Sequence, residues 1–454
     1  MSGSAKLEVH FPMFTVSGLG IDTGATTFLR SQTQLNAADF DGNPLFYFEA
    51  NINNTDASND LQVFLIDTTN ANQVMATLTG TKGVSSIYRS TAFTPNSGEV
   101  VYAVRTAQTV SINTLYVRQC RIVVVQDATA TKTVISIPLI VSNYSNINSS
   151  DANTVYSGRS GLSTSYTQET SGYFYRFLKT ASNWDTVSGC ALDLCYSSSS
   201  GSATGTVGLV DIDNANAEVT SSSVGTTNTT ITHAYQEFAW SAMTDTHQFE
   251  LMGKSSNASY RAVIFNASLR IKMSSLAKGE LYYLLNFTPA GTTAATSLGQ
   301  TRVPVTTSNI SNPVCYFEAT GFCADNATVL ELRATTSASA SDGTEVSHPA
   351  TEVNWNSATK ARYRGTSCTP TDGYKLYPYV YASTAVQWCI TCLVVAFTGT
   401  SGFTGITTAA ITAIASTTAT SGGTITGLTA AITDKGVCWN TGGAPTIADS
   451  HTHN

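Results

Sequence analysis

Asn43-Pro44-Leu45-Phe46-Tyr47-Phe48-Glu49-Ala50 is the stretch that decides the fold, because the chain repeats it as Asn312-Pro313-Val314-Cys315-Tyr316-Phe317-Glu318-Ala319 with two substitutions. The segments downstream of the two copies match as well. Tyr88-Arg89-Ser90 corresponds to Tyr363-Arg364-Gly365, and Thr94-Pro95-Asn96-Ser97-Gly98 to Thr369-Pro370-Thr371-Asp372-Gly373. Glu49 and Glu318 lie 269 residues apart, while Tyr88 and Tyr363, Gly98 and Gly373, and Tyr102 and Tyr377 are each separated by 275. One spacing across three markers means no net insertion or deletion through that half of the unit. The chain is therefore built by duplication, and the repeat frames every other reading.

Each copy reads as β. Short runs rich in Val, Ile, Tyr, Phe and Thr, such as Leu61–Ile66 and Val100–Arg105, stand between clusters of Gly, Asn, Ser and Asp. That spacing predicts strands bounded by turns, and an all-β sandwich or jelly roll. Asn43-Pro44 and Asn312-Pro313 open the repeated strand where a missing N–H costs no ladder bond. Alternation puts one aromatic of each Tyr-Phe pair on each face, and the expectation is that Glu49 and Glu318 then face solvent. A second marker, Leu65–Asn72 against Leu209–Asn216, ties in a middle copy, whose counterpart of the opening strand is read as Tyr173–Phe177.

These markers set boundaries of residues 1–130, 131–278 and 279–398 for three tandem jelly-roll-like β-sandwich modules, and 399–454 for a different tail. The modules resemble jelly-roll units that recur in phage structural proteins and prokaryotic surface proteins. The carriers are the apolar strand, the Asp/Asn-Thr turn, the Tyr-Arg-Ser strand, the Pro-x-x-Gly turn and the closing Val-rich strand. In the tail, Thr418–Gly423, Asp434–Asn440 and Pro445–Asp449 resemble the first half of a fibronectin-III-like (immunoglobulin-like) repeat of Bacteroidota and phage surface proteins. Such a half sandwich implies further strands, from a longer chain or by addition from another.

Composition narrows the function. Hydrophobic residues make up 42% of the 454, enough for packed cores, but charged residues only 12%, against about 25% in an ordinary domain. Net charge is −7 with no basic run, which argues against nucleic acid as a partner. No apolar run approaches the ~18 residues of a membrane span, and Met1–His10 lacks a secretory apolar core. These features suit a chain assembled in a cell and released as part of a virion, or displayed on an extracellular surface.

Catalytic signatures are missing. The six histidines are scattered, with no HExxH, GxSxG or phosphate loop, so no enzyme activity and no resident cofactor are expected. Of nine cysteines, Cys389 and Cys392 form a CxxC inside a strand, where i and i+3 point to opposite faces and cannot share a metal. Cys190 and Cys195 are placed to bridge across a turn if their geometry allows. Asp39 and Asp41, and Asp211, Asp213 and Asn216, put oxygen ligands at alternate turn positions, as a calcium ion needs and as a plain turn also produces. Trp184 and Trp355 sit among Asn and Asp, the chemistry of a glycan contact or of a half-buried sandwich edge. The expectation is a non-enzymatic structural subunit, most simply a virion surface, fibre or decoration protein assembled from copies of itself. An extracellular filament subunit or a carbohydrate-binding adhesin stands as the alternative.

Overall fold

A computed structural model of the chain describes residues 6–16, 24–54, 58–108, 115–127, 130–140, 142–144, 154–156, 158–159, 163, 165–166, 174–288, 296–297, 303–304, 310, 313–323, 328–335, 345–347, 353–355, 360–370, 375–381, 386–398, 405–412, 420–426, 438–439 and 450–451. Among these there is no α-helix. The only helical pieces are single 3₁₀ turns such as Ala37–Asp39, which Asn36 caps through its side chain on the Ala38 N–H. The chain divides into two compact units, Met1–Thr398 and Gly399–Asn454.

The first eight strands explain the rest. They are β1 (Lys6–Val16), β2 (Gly24–Asn36), β3 (Leu45–Asn54), β4 (Leu61–Asp67), β5 (Gln73–Gly80), β6 (Ser85–Arg89), β7 (Glu99–Gln108) and β8 (Leu115–Asp127). One sheet has the order β1-β8-β3-β6 and the other β2-β7-β4-β5. Most chain neighbours sit in opposite sheets, so the strand pairs wrap around a shared core as a jelly roll. The repeated strand is β3, at the centre of its sheet between β8 and β6. Gly42 (φ +64°) and Asn43 (φ 55°) turn the chain into it. A Cβ on Gly42 would stand 2.8 Å from that of Ala130, so glycine serves both the left-handed backbone and the close approach.

The same order recurs twice. In the second jelly roll, Thr133–Ile140, Ala262–Met273, Val187–Ser198 and Thr232–Phe238 pair in that sequence. Opposite stand Phe177–Leu178, Gln248–Ser255 and Gly205–Asp211, with short strands Ala217–Glu218 and Val224–Thr226 on the last. In the third, Lys278–Thr288, Val386–Thr398, Val314–Cys323 and Ala361–Cys368 form one sheet. Thr296–Ser297 and Val303–Pro304, Lys375–Tyr381, Thr328–Thr335, and then Glu345–Ser347 and Val353–Trp355 form the other. We call the sheet that carries the repeated strand the inner sheet of each roll. Phe46, Phe48, Ala50 and Ile52 fill the core of the first roll, and Cys315, Phe317 and Ala319 that of the third.

Two sequence expectations are corrected. The middle copy of the repeated strand is Val187–Ser198, not Tyr173–Phe177. Tyr173 lies outside the described residues, and Phe174–Arg176 precede the short strand Phe177–Leu178 of the other sheet. Secondly, Cys190 and Cys195 lie on that one strand with no turn between them, five residues apart and so on opposite faces. The Leu65/Leu209 marker, in contrast, marks a true equivalence. Asp67 Oδ1 accepts the N–H groups of Thr69 and Asn70 at 2.8 and 3.1 Å, and Asp211 Oδ1 those of Asp213 and Asn214, both at 3.1 Å. Ala71 and Asn72 then take φ of 50° and 60°, Ala215 and Asn216 of 49° and 60°.

The C-terminal unit is β as well. Gly405–Thr412 pairs antiparallel with Thr420–Thr426, and Cys438–Trp439 with Ser450–His451. Most of the fibronectin-like motif residues lie outside the described residues.

Candidate functional site

A strand buried on one face shows its alternate residues on the other. In β3 those residues are Tyr47, Glu49 and Asn51, and Glu49 is 2% exposed, not solvent-facing as expected. Glu318, at the matching place in the third roll, is 0% exposed. Both are buried because the back of each inner sheet is covered by another jelly roll.

The register of the closing strands locates the third equivalent. Glu49 faces Arg121, Glu318 faces Cys392, and Asp193 faces Ser268. Apolar-rich stretches Ile122–Val125, Leu393–Ala396 and Leu269–Met273 come next in each. Every roll thus carries one buried acid at the same point of its central inner strand. A buried carboxylate needs a charge partner and filled lone pairs. Each of the three finds them differently.

Behind the first roll lies the opening strand of the third. Glu49 takes Arg89 Nε at 2.8 Å, on the strand directly opposite, and Arg121 Nη2. Arg89 continues to Glu8 at 2.9 Å, and His10 Nε2 lies 2.8 Å from the same carboxylate. Burial by itself would raise the Glu49 carboxyl, but the Arg121 and Arg89 guanidiniums hold it below its ordinary range. Burial and then the Arg121 charge depress the His10 imidazole, against the pull of Glu8. The cover consists of Tyr283, whose ring meets His10 edge-on at 4.6 Å and whose hydroxyl donates to Glu8 O at 2.9 Å. Gln119 Nε2 donates to Leu284 O at 3.1 Å.

Behind the third roll lies the second. Glu318 accepts from Arg362 at 3.0 and 2.5 Å, from Arg364 Nε and from the Tyr175 hydroxyl, which crosses from the second roll. Arg176 N donates to Thr320 Oγ1 at 3.2 Å. Beside them Glu250 of the second roll is gripped by Arg176 Nε at 2.8 Å and by Lys360 Nζ of the third at 2.5 Å. Burial pulls the Lys360 ammonium down to about 8 in spite of Glu250.

Behind the second roll lies the first. Asp193 Oδ2 accepts Arg270 Nη2 at 2.6 Å, Thr33 Oγ1 at 2.8 Å and Gln34 N at 3.0 Å, the last two from β2. His233 Nε2 stands 2.7 Å from Oδ1. Burial opposes ionisation here too, yet Arg270 and His233 hold the Asp193 carboxyl down at about 2. The Arg270 guanidinium lies 4.6 Å over the Phe11 ring of β1.

First on third, third on second, second on first: the contacts close a cycle. At its centre the opening strands β1, Thr133–Ile140 and Lys278–Thr288 each touch the other two.

The sequence-selected ligands do not converge. Asp41 accepts Thr131 N at 2.7 Å and Lys132 N at 2.9 Å, while Asp39 lies 3.5 Å from Lys272 Nζ. Asp211 holds its turn and the His247 ring at 2.7 Å, Asp213 accepts Gln248 N at 2.8 Å, and Asn216 supplies the positive φ. Among the described residues no three His, Cys, Asp or Glu side chains are placed to share a metal ion. Trp184 is 3% exposed, with Trp240 and Phe177 at 5.9 and 6.4 Å, and so offers no ring face to a sugar. Trp355 lies in the strand Val353–Trp355, but its side chain is outside the described part. A cleft between the first and second rolls, lined by Gln34, Asp39, Tyr235, Arg270 and Lys272 among others, holds about 10 Å³, no more than one water. The acid–arginine clusters escape a sequence reading because a Glu on the strand face away from the core looks solvated. The signal was the repeat itself: Glu49 with Arg89 and Glu318 with Arg364 are duplicated together.

No family model matches the chain, and no curated protein matches it. Solved structures resemble it at low identity. A chain from the atomic structure of Sulfolobus Turreted Icosahedral Virus is 11% identical, with TM-score 0.19, covering 88% of this chain and 91% of its own. Dimeric latent PorU from Porphyromonas gingivalis is 8% identical, with TM-score 0.21 and coverage of 86% and 33%. A chain of infectious bursal disease virus Gt strain is 7% identical, with TM-score 0.20 and coverage of 87% and 76%. Among the described residues no helix is long and apolar enough to cross a membrane.

Proposed function

We propose that the chain is a non-enzymatic structural subunit of a repeating surface assembly, a virion being its setting, and that it packs with copies of itself. The closed cycle of three jelly rolls carries this reading. Its buried carboxylates Glu318, Asp193 and Glu250 are spent on holding one roll to the next, while Glu49 is neutralised within its own roll behind the same kind of interface. Among the described residues, none of these four acids lines the small cleft between the first and second rolls or the open hollow beside Tyr166, where a general acid or base would be needed. That hollow, of about 350 Å³, is open, polar and lined by Ser165, Tyr166, Asn216 and Lys254, without the apolar walls of a ligand site.

Three rolls on one chain do the work of a trimer of single rolls, with rigid relative placement written into the sequence. Sparse surface charge suits lateral packing, because few ions are desolvated when copies meet. Negative-stain microscopy of native material carrying the chain is the test. Arrays of it on a virion are expected. Regular filaments would move the setting to a cell surface, and dispersed monomers at high concentration, with no assembly containing the chain, would overturn the proposal. A glycan array and turnover on a polysaccharide panel, both expected negative, separate it from an adhesin and from a hydrolase.

A further inference from the structure

Cys315 and Cys368 face one another across the third inner sheet, at the end of the repeated strand. We propose that they are a disulfide site, a cross-strand bridge that locks Val314–Cys323 to Ala361–Cys368 once an oxidant is supplied.

Three observations carry it. Directly opposed residues of an antiparallel pair hold their Cα atoms about 4.5–5.5 Å apart, inside the ~4.4–6.8 Å that a disulfide spans. Both side chains enter the same core: Cys315 is 1% exposed beside Phe317, and Cys368 packs against that cluster. Their counterparts in the first roll, by the spacings of 269 and 275 residues, are Phe46 and Phe93. Those two form a β-bridge at the matching place, with ring centroids 6.1 Å apart. The position therefore brings two side chains together in one copy, and both members of that pair are cysteine in the other. Register supplies no second cysteine to Cys120, Cys190, Cys195 or Cys392, which face Ala50, Phe238, His233 and Glu318 among their partners.

The chemistry balances with a small disulfide such as oxidised glutathione. The more exposed thiol, Cys368, attacks as its thiolate, and one glutathione thiolate leaves and takes up a proton. Cys315 then attacks the Cys368 sulfur of the mixed disulfide, and the second glutathione departs as a thiol. Two protein thiols are oxidised and one small disulfide is reduced. Burial pushes the Cys368 thiol up to about 11, so the first attack is slow at neutral pH and faster near pH 9. The bridge closes the long loop that includes Glu345–Ser347 and Val353–Trp355, and long loops gain most from closure.

The test uses the native full-length chain, incubated with oxidised glutathione at pH 8.5 or with dithiothreitol, then denatured, alkylated and mapped. The expected product is one Cys315–Cys368 peptide, a loss of two hydrogens per chain, and a higher melting temperature than the reduced form. Cys368→Ser and Cys315→Ser should each abolish the linkage and the gain in melting temperature. The oxidised and reduced wild type suffice if a variant fails to fold. Full alkylation of both thiols after oxidation, a glutathione adduct that persists on Cys368, or linkage to another cysteine would overturn the assignment.

Discussion

Glu318→Gln removes one charge and almost no volume from the densest of the three clusters. In the wild type the carboxylate is wholly buried and neutralises Arg362 and Arg364 while accepting the Tyr175 hydroxyl. The amide keeps one acceptor oxygen but turns an NH2 toward a donor, and a guanidinium loses its counter-charge. Breaking a buried pair from one side costs about 3–5 kcal/mol, because the surviving charge stays desolvated. Arg364 keeps Glu280 at 3.3 Å, so the lower figure, about 3 kcal/mol, is the one to expect. Tyr175→Phe deletes only the hydrogen bond from the second roll and should cost about 1 kcal/mol. Glu237→Gln is the control. That side chain is 63% exposed in its pair with Lys272, and such surface pairs contribute little. Urea unfolding of the full chain, followed by fluorescence and circular dichroism, measures all three. Since Tyr175 belongs to the second roll, Glu318→Gln should shift the unfolding of both rolls. A loss no larger than the control's would refute the role of the cluster, and a shift confined to the third roll would refute the coupling.

The same contacts carry other expectations. The Asp193 carboxyl is held at about 2 from an ordinary 3.8, so its stabilisation is present above pH 4 and is lost as pH falls toward 2. It amounts to about 2 kcal/mol. The stability difference between wild type and Asp193→Asn should therefore shrink over that window, and a pH-independent difference would sink the argument. Ala71 and Ala215 hold left-handed backbone, so Ala71→Gly and Ala215→Gly should each stabilise by up to about 1 kcal/mol, read as a rise in melting temperature. Unequal signs at these matched turns would contradict their equivalence. Trp184→Ala empties a packed aromatic cluster and should cost about 3 kcal/mol in denaturant melts, where an exposed sugar platform would cost almost nothing.

The β class and the first-to-third duplication were legible because both rest on local pattern: alternation, turn residues and a constant spacing. The middle copy was misplaced for a physical reason. Its central strand reads Cys190-Ala191-Leu192-Asp193-Leu194, without the aromatic pair, so Tyr175 and Phe177 nearby mimicked the signature. Those aromatics serve tertiary contacts instead, Tyr175 on Glu318 and Phe177 against Trp184. The duplicated Glu–Arg pairs of the first and third rolls were legible in the repeat, but the burial of the three acids was not. Alternation says which residues leave the core, but not whether water or another sheet receives them. Likewise the Asp67 and Asp211 turns obey one rule, a carboxylate accepting the next backbone N–H groups, whether or not an ion is near.

The three acids also bear on why the rolls keep their order. Three similar inner sheets offer three similar backs, and apolar faces alone would let any two of them pack. The partner sets differ where it matters. Glu49 is neutralised within its own roll by Arg89 and Arg121 and leaves the neighbouring opening strand to be read by His10 and Gln119. Glu318 takes a hydroxyl from outside its roll, and Tyr175 delivers it. Asp193 takes a hydroxyl and a backbone N–H, which Thr33 and Gln34 present together. A wrong pairing would bury a carboxylate with an unfilled lone pair, at a cost of about 1–3 kcal/mol or more for a charged group. We read the clusters as devices of specificity as much as of stability. Replacing Asp193, Arg270 and Thr33 together by apolar residues of similar volume tests this. Stability should fall by no more than about 1–3 kcal/mol, the cost of the Gln34 N–H left without its acceptor, while mispaired species should appear on refolding. If every molecule of that triple variant refolds to the native pairing, shape alone sets the order of the rolls.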